Sequence, residues 1–188
     1  MKKKEVLFIQ GAGAGAHDED RALAESLREQ LGDGYVVRYP KMPHDGDSEY
    51  VKLKGTIAKE LAAVNGKVVL VGHSAGGSTL IKFLSEEVVD KEIAGIFLIA
   101  APYFGEGGWE VDDGDLTEGF ASRLPQRAPV FLYQSRDDEV VPFAHLALYA
   151  AKLPQAILRE FDGPGHQFEN NLTEVAEDIR RTETASGR

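Results

Sequence analysis

Ten residues, Val68-Val69-Leu70-Val71-Gly72-His73-Ser74-Ala75-Gly76-Gly77, restrict the fold of this 188-residue chain more than any other segment. Val68–Val71 reads as a buried strand, and Leu80, Leu84 and Val88 carry a helical period immediately afterwards. Between them the chain passes through Gly-x-Ser-x-Gly. A strand that becomes a helix within so few residues folds over itself, and side chains at Gly72 and Gly76 would collide there. This is the sequence form of an elbow that lifts a serine hydroxyl above the end of a sheet. A bare Gly-x-Ser-x-Gly is a weak signal; the strand before it and the periodic helix after it give it weight.

Strand-like and helix-like segments alternate along the rest of the chain. Strand candidates are Val6–Ile9, Tyr35–Tyr39, Val68–Val71, Ile93–Ala100, Val130–Gln134 and Ala156–Phe161. Helical stripes run through Leu23, Leu27 and Leu31; Tyr50, Leu53, Ile57, Leu61 and Val64; Phe143, Leu146, Ala147 and Ala150; and Leu172, Val175, Ala176 and Ile179. The pattern predicts one α/β domain over residues 1–188. It should be a three-layer α/β/α sandwich on a mostly parallel sheet of about six strands. Thr182–Arg188 carries no apolar anchor and reads as a frayed tail. Residues 103–125 break the alternation, with Glu106, Glu110, Asp112, Asp113, Asp115 and Glu118 and the only tryptophan, Trp109. They read as a short acidic flap or cap loop. Trp109 and Phe104 either anchor it or wall a substrate pocket.

A net charge of −10 disfavours nucleic acid and anionic membranes as partners, because both need a basic footprint. Without cysteine there is no disulfide framework, thiolate nucleophile or Cys-ligated metal. The N-terminal lysines precede only Val6-Leu7-Phe8-Ile9, too short for a signal-peptide core, and no run has the length of a membrane span. A cytoplasmic monomer or homodimer is the expectation.

A serine hydroxyl needs a base within hydrogen-bond reach, itself oriented by a third group. In a parallel sheet these partners come from the carboxyl ends of later strands. Val130–Gln134 runs into Ser135-Arg136-Asp137-Asp138, and Ile157–Phe161 runs into Asp162-Gly163-Pro164-Gly165-His166. Ser74, one of Asp137 and Asp138, and His166 therefore follow in the order Ser, Asp, His. Among the other histidines, His73 lies inside the elbow with its side chain expected to point away from the hydroxyl. His145 sits on a helix. His17 and His44 follow early strands, where each either borders the pocket or serves the surface.

With these residues in place the chain resembles the α/β-hydrolase superfamily, specifically its small, nearly lidless serine hydrolases. The resemblance rests on Gly72-His73-Ser74-Ala75-Gly76, Asp138-x-x-Val141-Pro142 and Gly165-His166-x-Phe168. It selects Asp138 over Asp137 and implies an oxyanion hole from the N–H groups of Ala75 and Ala12. The loop of Ala12 begins Gln10-Gly11 where that superfamily usually has His-Gly. Lys41-Met42-Pro43-His44 resembles a Met-Pro loop at the pocket edge of some members. Catalytic candidates are thus Ser74, Asp138 and His166; substrate-binding candidates are Gln10, His17, His44, Phe104 and Trp109. The implied activity is hydrolysis of a small ester or thioester with no cofactor, and the alternative is a non-catalytic binding module of the same fold.

Two other readings are weaker. Gly11–Ala16 satisfies Gly-x-Gly-x-x-Gly/Ala, but Asp18, Glu19 and Asp20 crowd the following helix start, where a pyrophosphate needs the positive end of the dipole. Asp113 and Asp115 lack the remaining ligand spacing of a calcium loop, so no metal is expected.

Overall fold

The computed structural model describes residues 3–43, 49–111 and 113–185. Six strands alternate with helices: β1 (Lys4–Ile9), α1 (Ala16–Glu19), α2 (Arg21–Leu31), β2 (Tyr35–Arg38), α3 (Glu49–Ala63), β3 (Val68–His73), α4 (Ala75–Glu86), β4 (Ile93–Ile99), α5 (Phe120–Arg123), β5 (Val130–Ser135), α6 (Ala144–Lys152), β6 (Ile157–Phe161) and α7 (Thr173–Ala185). The strands lie in the order β2-β1-β3-β4-β5-β6, and every pairing is parallel.

Strand alternation divides the core in two. Leu7, Ile9, Leu70, Leu98 and Leu132 face Ile57 and Leu61 of α3, Leu80 and Leu84 of α4, and Leu146 of α6. Val6, Phe8, Val71, Ile99 and Tyr133 face Leu23 and Leu27 of α2 and Val175 and Ile179 of α7. Because β3 is covered on both faces, all six of its residues are buried, which is why it reads as a continuous apolar run. The three-layer α/β/α sandwich is thus as expected, with six strands, all parallel, among the described residues.

Two boundaries differ from expectation. The period through Leu80 and Leu84 stops at Glu86, and Val88 lies beyond the helix at 94% exposure. The predicted tail is helical through Ala185: Glu183 pairs with Lys4 and accepts a hydrogen bond from the Tyr35 hydroxyl, so polar contacts replace the missing apolar anchor. Among the described residues no helix is long and apolar enough to cross a membrane.

The sheet order reverses between β1 and β3, whose neighbouring carboxyl ends form the crevice where open α/β sheets bind ligands.

Candidate active site

Ser74 joins β3 to α4 at φ 51°, ψ −134°, a conformation costing a non-glycine residue on the order of 1–3 kcal/mol. Its N–H donates to the Ile99 carbonyl at 2.8 Å, and its carbonyl accepts from the Gly77 N–H at 2.9 Å, so the surroundings hold the strain. The flanking glycines allow the close approach. A Cβ at Gly72 would lie 2.5 Å from the Gly77 Cα, and one at Gly76 would lie 2.2 Å from the Gln10 carbonyl oxygen. Ala75 opens α4, so its N–H belongs to the first turn, where the helix supplies no acceptor.

The structure brings Asp138 and His166 together. The imidazole Nδ1 lies 3.0 and 2.9 Å from the two Asp138 oxygens. The same carboxylate accepts from the Val140 and Val141 N–H groups at 2.9 and 2.8 Å and from the Gln134 amide at 2.7 Å. Burial pushes the Asp138 carboxyl up, but the bonds from His166, Val141 and Val140 outweigh it and hold it below the usual carboxylate range. Asp137 turns elsewhere. It accepts from the Ser135 hydroxyl and from the Gly165 N–H, the latter at 3.0 Å, stapling the His166 loop to β5.

Beside the elbow lies a cavity of about 170 Å³ whose lining includes Gln10, Ala12, Ala75, Met42, Leu53 and Phe104. Both oxyanion candidates border it. Gln10 is buried, with Oε1 2.8 Å from His17 Nδ1 and accepting from the Met42 N–H at 3.4 Å. His17 stands behind Gln10, stacked on Tyr39 at 4.4 Å, and is not among the lining residues. Phe104 is a wall residue. Trp109 is not: its ring rests edge-on against His145 at 5.3 Å, because the flap folds onto itself through Trp109 N–H to Tyr103 carbonyl at 2.9 Å. His44 and Asp112 lie outside the described residues.

Sequence reasoning missed part of the wall. Tyr50 and Leu53 read as helix core, and Lys82 was hidden among Leu80, Ile81 and Phe83. All three line the cavity. The Lys82 ammonium donates to the Asp115 carbonyl at 2.8 Å, pairs with Glu86 at 2.9 Å and lies 4.9 Å from the Tyr50 ring centre. It ties the flap to α4.

His145 anchors the flap from the other side. It is buried, and its Nδ1 accepts the Tyr103 N–H at 2.8 Å, so a proton on Nδ1 would abolish that bond. Burial lowers the ring's pKa below the ordinary 6.5, against an opposing pull from Asp138. The unfolded chain then takes up a proton more readily than the folded one. Stability linked to His145 is full above about pH 6.5 and is lost as pH falls towards the lower folded value. Melting temperatures from pH 8 to 5 should show this loss, and His145→Asn, which keeps an acceptor for Tyr103, should have a shallower acid slope. Equal slopes would exclude His145 as the source.

A parallel sheet carrying a strained serine after β3, with an acid after β5 and a histidine after β6, defines the α/β-hydrolase fold. Residues 41–171, well over half the chain, match the model of the serine hydrolase family, and the chain belongs to that family. Solved structures share the fold at low identity. The Bacillus subtilis ydeN gene product superposes with a TM-score of 0.74 at 20% identity, covering 97% of this chain and 100% of that one. A serine hydrolase involved in carbazole degradation, CarC, gives 0.73 at 17% identity over 98% and 92%. Arabidopsis thaliana SOBER1 gives 0.72 at 14% identity over 96% and 99%. No curated protein matches the chain in sequence.

Proposed function

We propose that this serine hydrolase cleaves small carboxylic esters or thioesters through an acyl-enzyme on Ser74. The observation that carries the reading is the His166–Asp138 pair, ordered beside a strained serine elbow and an apolar cavity. With Nδ1 committed to Asp138, Nε2 is the nitrogen left to take the Ser74 proton as Oγ attacks the carbonyl carbon. Asp138 holds the tautomer and stabilises the imidazolium that forms. The N–H groups of Ala75 and Ala12 receive the oxyanion. Collapse expels the alcohol or thiol, which leaves with the proton from His166. Water then attacks the acyl carbon with the same base, releasing the acid and restoring Ser74.

The cavity supports a short acyl group: it is walled by Met42, Pro43, Leu53 and Phe104 and bordered by the flap at Val111 and Gly114. An apolar wall of this kind gives only modest discrimination per methylene, about 10- to 200-fold, so specificity should be graded by chain length.

Labelling with a fluorophosphonate, followed by peptide mass mapping, tests the reading. The expected adduct is on Ser74, and His166→Ala should slow its formation by about 10²-fold or more, the usual contribution of a general base. A folded wild-type protein that forms no adduct would overturn the proposal and leave a binding role.

A further inference from the structure

A second buried pair, Asp20 with His73, lies beneath the same residues and has no part in the acyl-transfer steps. Both are almost fully buried, at 3% and 2% exposure. The Asp20 carboxylate receives three N–H groups from three segments. Oδ2 accepts from the Gly11 N–H at 2.8 Å and lies 2.9 Å from His73 Nδ1. Oδ1 accepts from the Gln167 amide at 2.8 Å. On the far side of the ring, His73 Nε2 lies 3.1 Å from the carbonyl oxygen of His166.

The atoms restrict the protons. On its other side the ring meets a carbonyl oxygen, which only accepts. A carboxylate receiving N–H groups from Gly11 and Gln167 is favoured in its ionised form, so Nδ1 donates to it. Burial pushes the Asp20 carboxyl up, but the His73, Gly11 and Gln167 bonds prevail and hold it below the usual range. The ring therefore bridges the Asp20 carboxylate and the His166 carbonyl. The buried Asp20–His73 pair is weak evidence for stability, since apolar residues of similar volume serve that end as well. What it does hold is specific. Gly11 precedes Ala12, His73 precedes Ser74, and the carbonyl bound by Nε2 belongs to His166. A Cβ on Gly11 would lie 3.2 Å from the Ser74 Cβ, so these segments touch here.

We propose that the Asp20–His73 pair is a positioning device that clamps the Ser74 elbow, the His166 backbone and the Gly11-Ala12 loop in one register. It acts through those residues and touches no substrate. The inference rests on the proposed acyl-transfer reaction.

Asp20→Asn keeps the shape of the side chain and removes its charge. Gln167→Ala cuts the link between Asp20 and the His166 loop, together with a longer bond to the Glu19 carbonyl, from a half-buried position. Three readouts separate positioning from a purely structural role: melting temperature, kcat and KM on a small aryl ester, and ring ¹⁵N shifts of His73. Asp20→Asn should lower kcat by about 10²-fold with KM little changed, as a misplacement near 1 Å does. Gln167→Ala should lower kcat about tenfold with only a small drop in melting temperature, the scale of the hydrogen bonds that its amide makes. The ring ¹⁵N shifts of His73 should change in Asp20→Asn, where Nδ1 loses its anionic partner. If Asp20→Asn fails to fold, Gln167→Ala decides. A folded variant with kcat within about twofold of wild type, or His73 ring ¹⁵N shifts that are the same in wild type and Asp20→Asn, overturns the clamp. Fluorophosphonate labelling keeps the two proposals apart: no adduct on wild-type Ser74 refutes the reaction, whereas a wild-type adduct forming at the same rate in both variants refutes only the clamp.

Discussion

Replacing Ser74 by alanine should lower the rate on a small aryl ester such as p-nitrophenyl acetate by about 10³-fold or more. The size follows from cooperation: without Oγ, His166 and Asp138 have no nucleophile to activate, and only cavity binding and the oxyanion donors remain. Stability should hardly move. Alanine keeps the Cβ, so the strained φ of 51° and the backbone bonds to Ile99 and from Gly77 are retained in the variant. Parallel measurement of steady-state rates and thermal melts checks both halves. A folded Ser74→Ala protein that keeps most of the wild-type rate would sink the mechanism.

The second large effect should come from Asp138→Asn, a loss of about 10³- to 10⁴-fold in kcat. Asparagine is nearly isosteric and can still accept from Val140 and Val141, but its amide faces His166 Nδ1 with a donor or a neutral acceptor. The imidazole then loses the charge that stabilises its protonated form, and its tautomer is no longer set. Asp137→Asn is the matched control. Its oxygen can still accept from Gly165 and Ser135, so activity should stay within about tenfold. Kinetics on the two neighbours answer the assignment directly. Equal losses would mean that stapling the His166 loop matters as much as orienting the ring.

Much of this molecule could be read without coordinates. Val68–Gly77 carried the strand, the elbow and the helix start, because burial on both faces of a parallel sheet demands an unbroken apolar run and the turn demands glycines at two places. Chain order and the glycines beside a strand end pointed to His166 and to one of Asp137 and Asp138, the resemblance to the α/β-hydrolases chose Asp138, and the structure pairs it with His166. The flap was visible as a break in the alternation, but whether Phe104 and Trp109 anchor it or wall a pocket stayed open, because an aromatic in a loop reads alike whether it faces a cavity or a neighbouring ring. Phe104 lines the cavity, and the place of Trp109 on His145 follows from how the flap folds back. The helix of Glu183 was missed because its anchors, Lys4 and Tyr35, lie far away in sequence.

The elements, their parallel order and the places of Ser74, Asp138 and His166 just past strand ends were therefore determined by the amino-acid sequence, since periodicity and turn chemistry are local properties. Only the tertiary structure decided which groups meet. Lys82 lies in an apolar stripe and emerges at a cavity wall. Asp20 looks like one more acid at a helix start, yet it is buried and collects N–H groups from three segments, Gly11, His73 and Gln167, the last 147 residues away. Hydrogen bonds of that span depend on the register in which parallel strands bring their carboxyl ends together, and no local pattern records it.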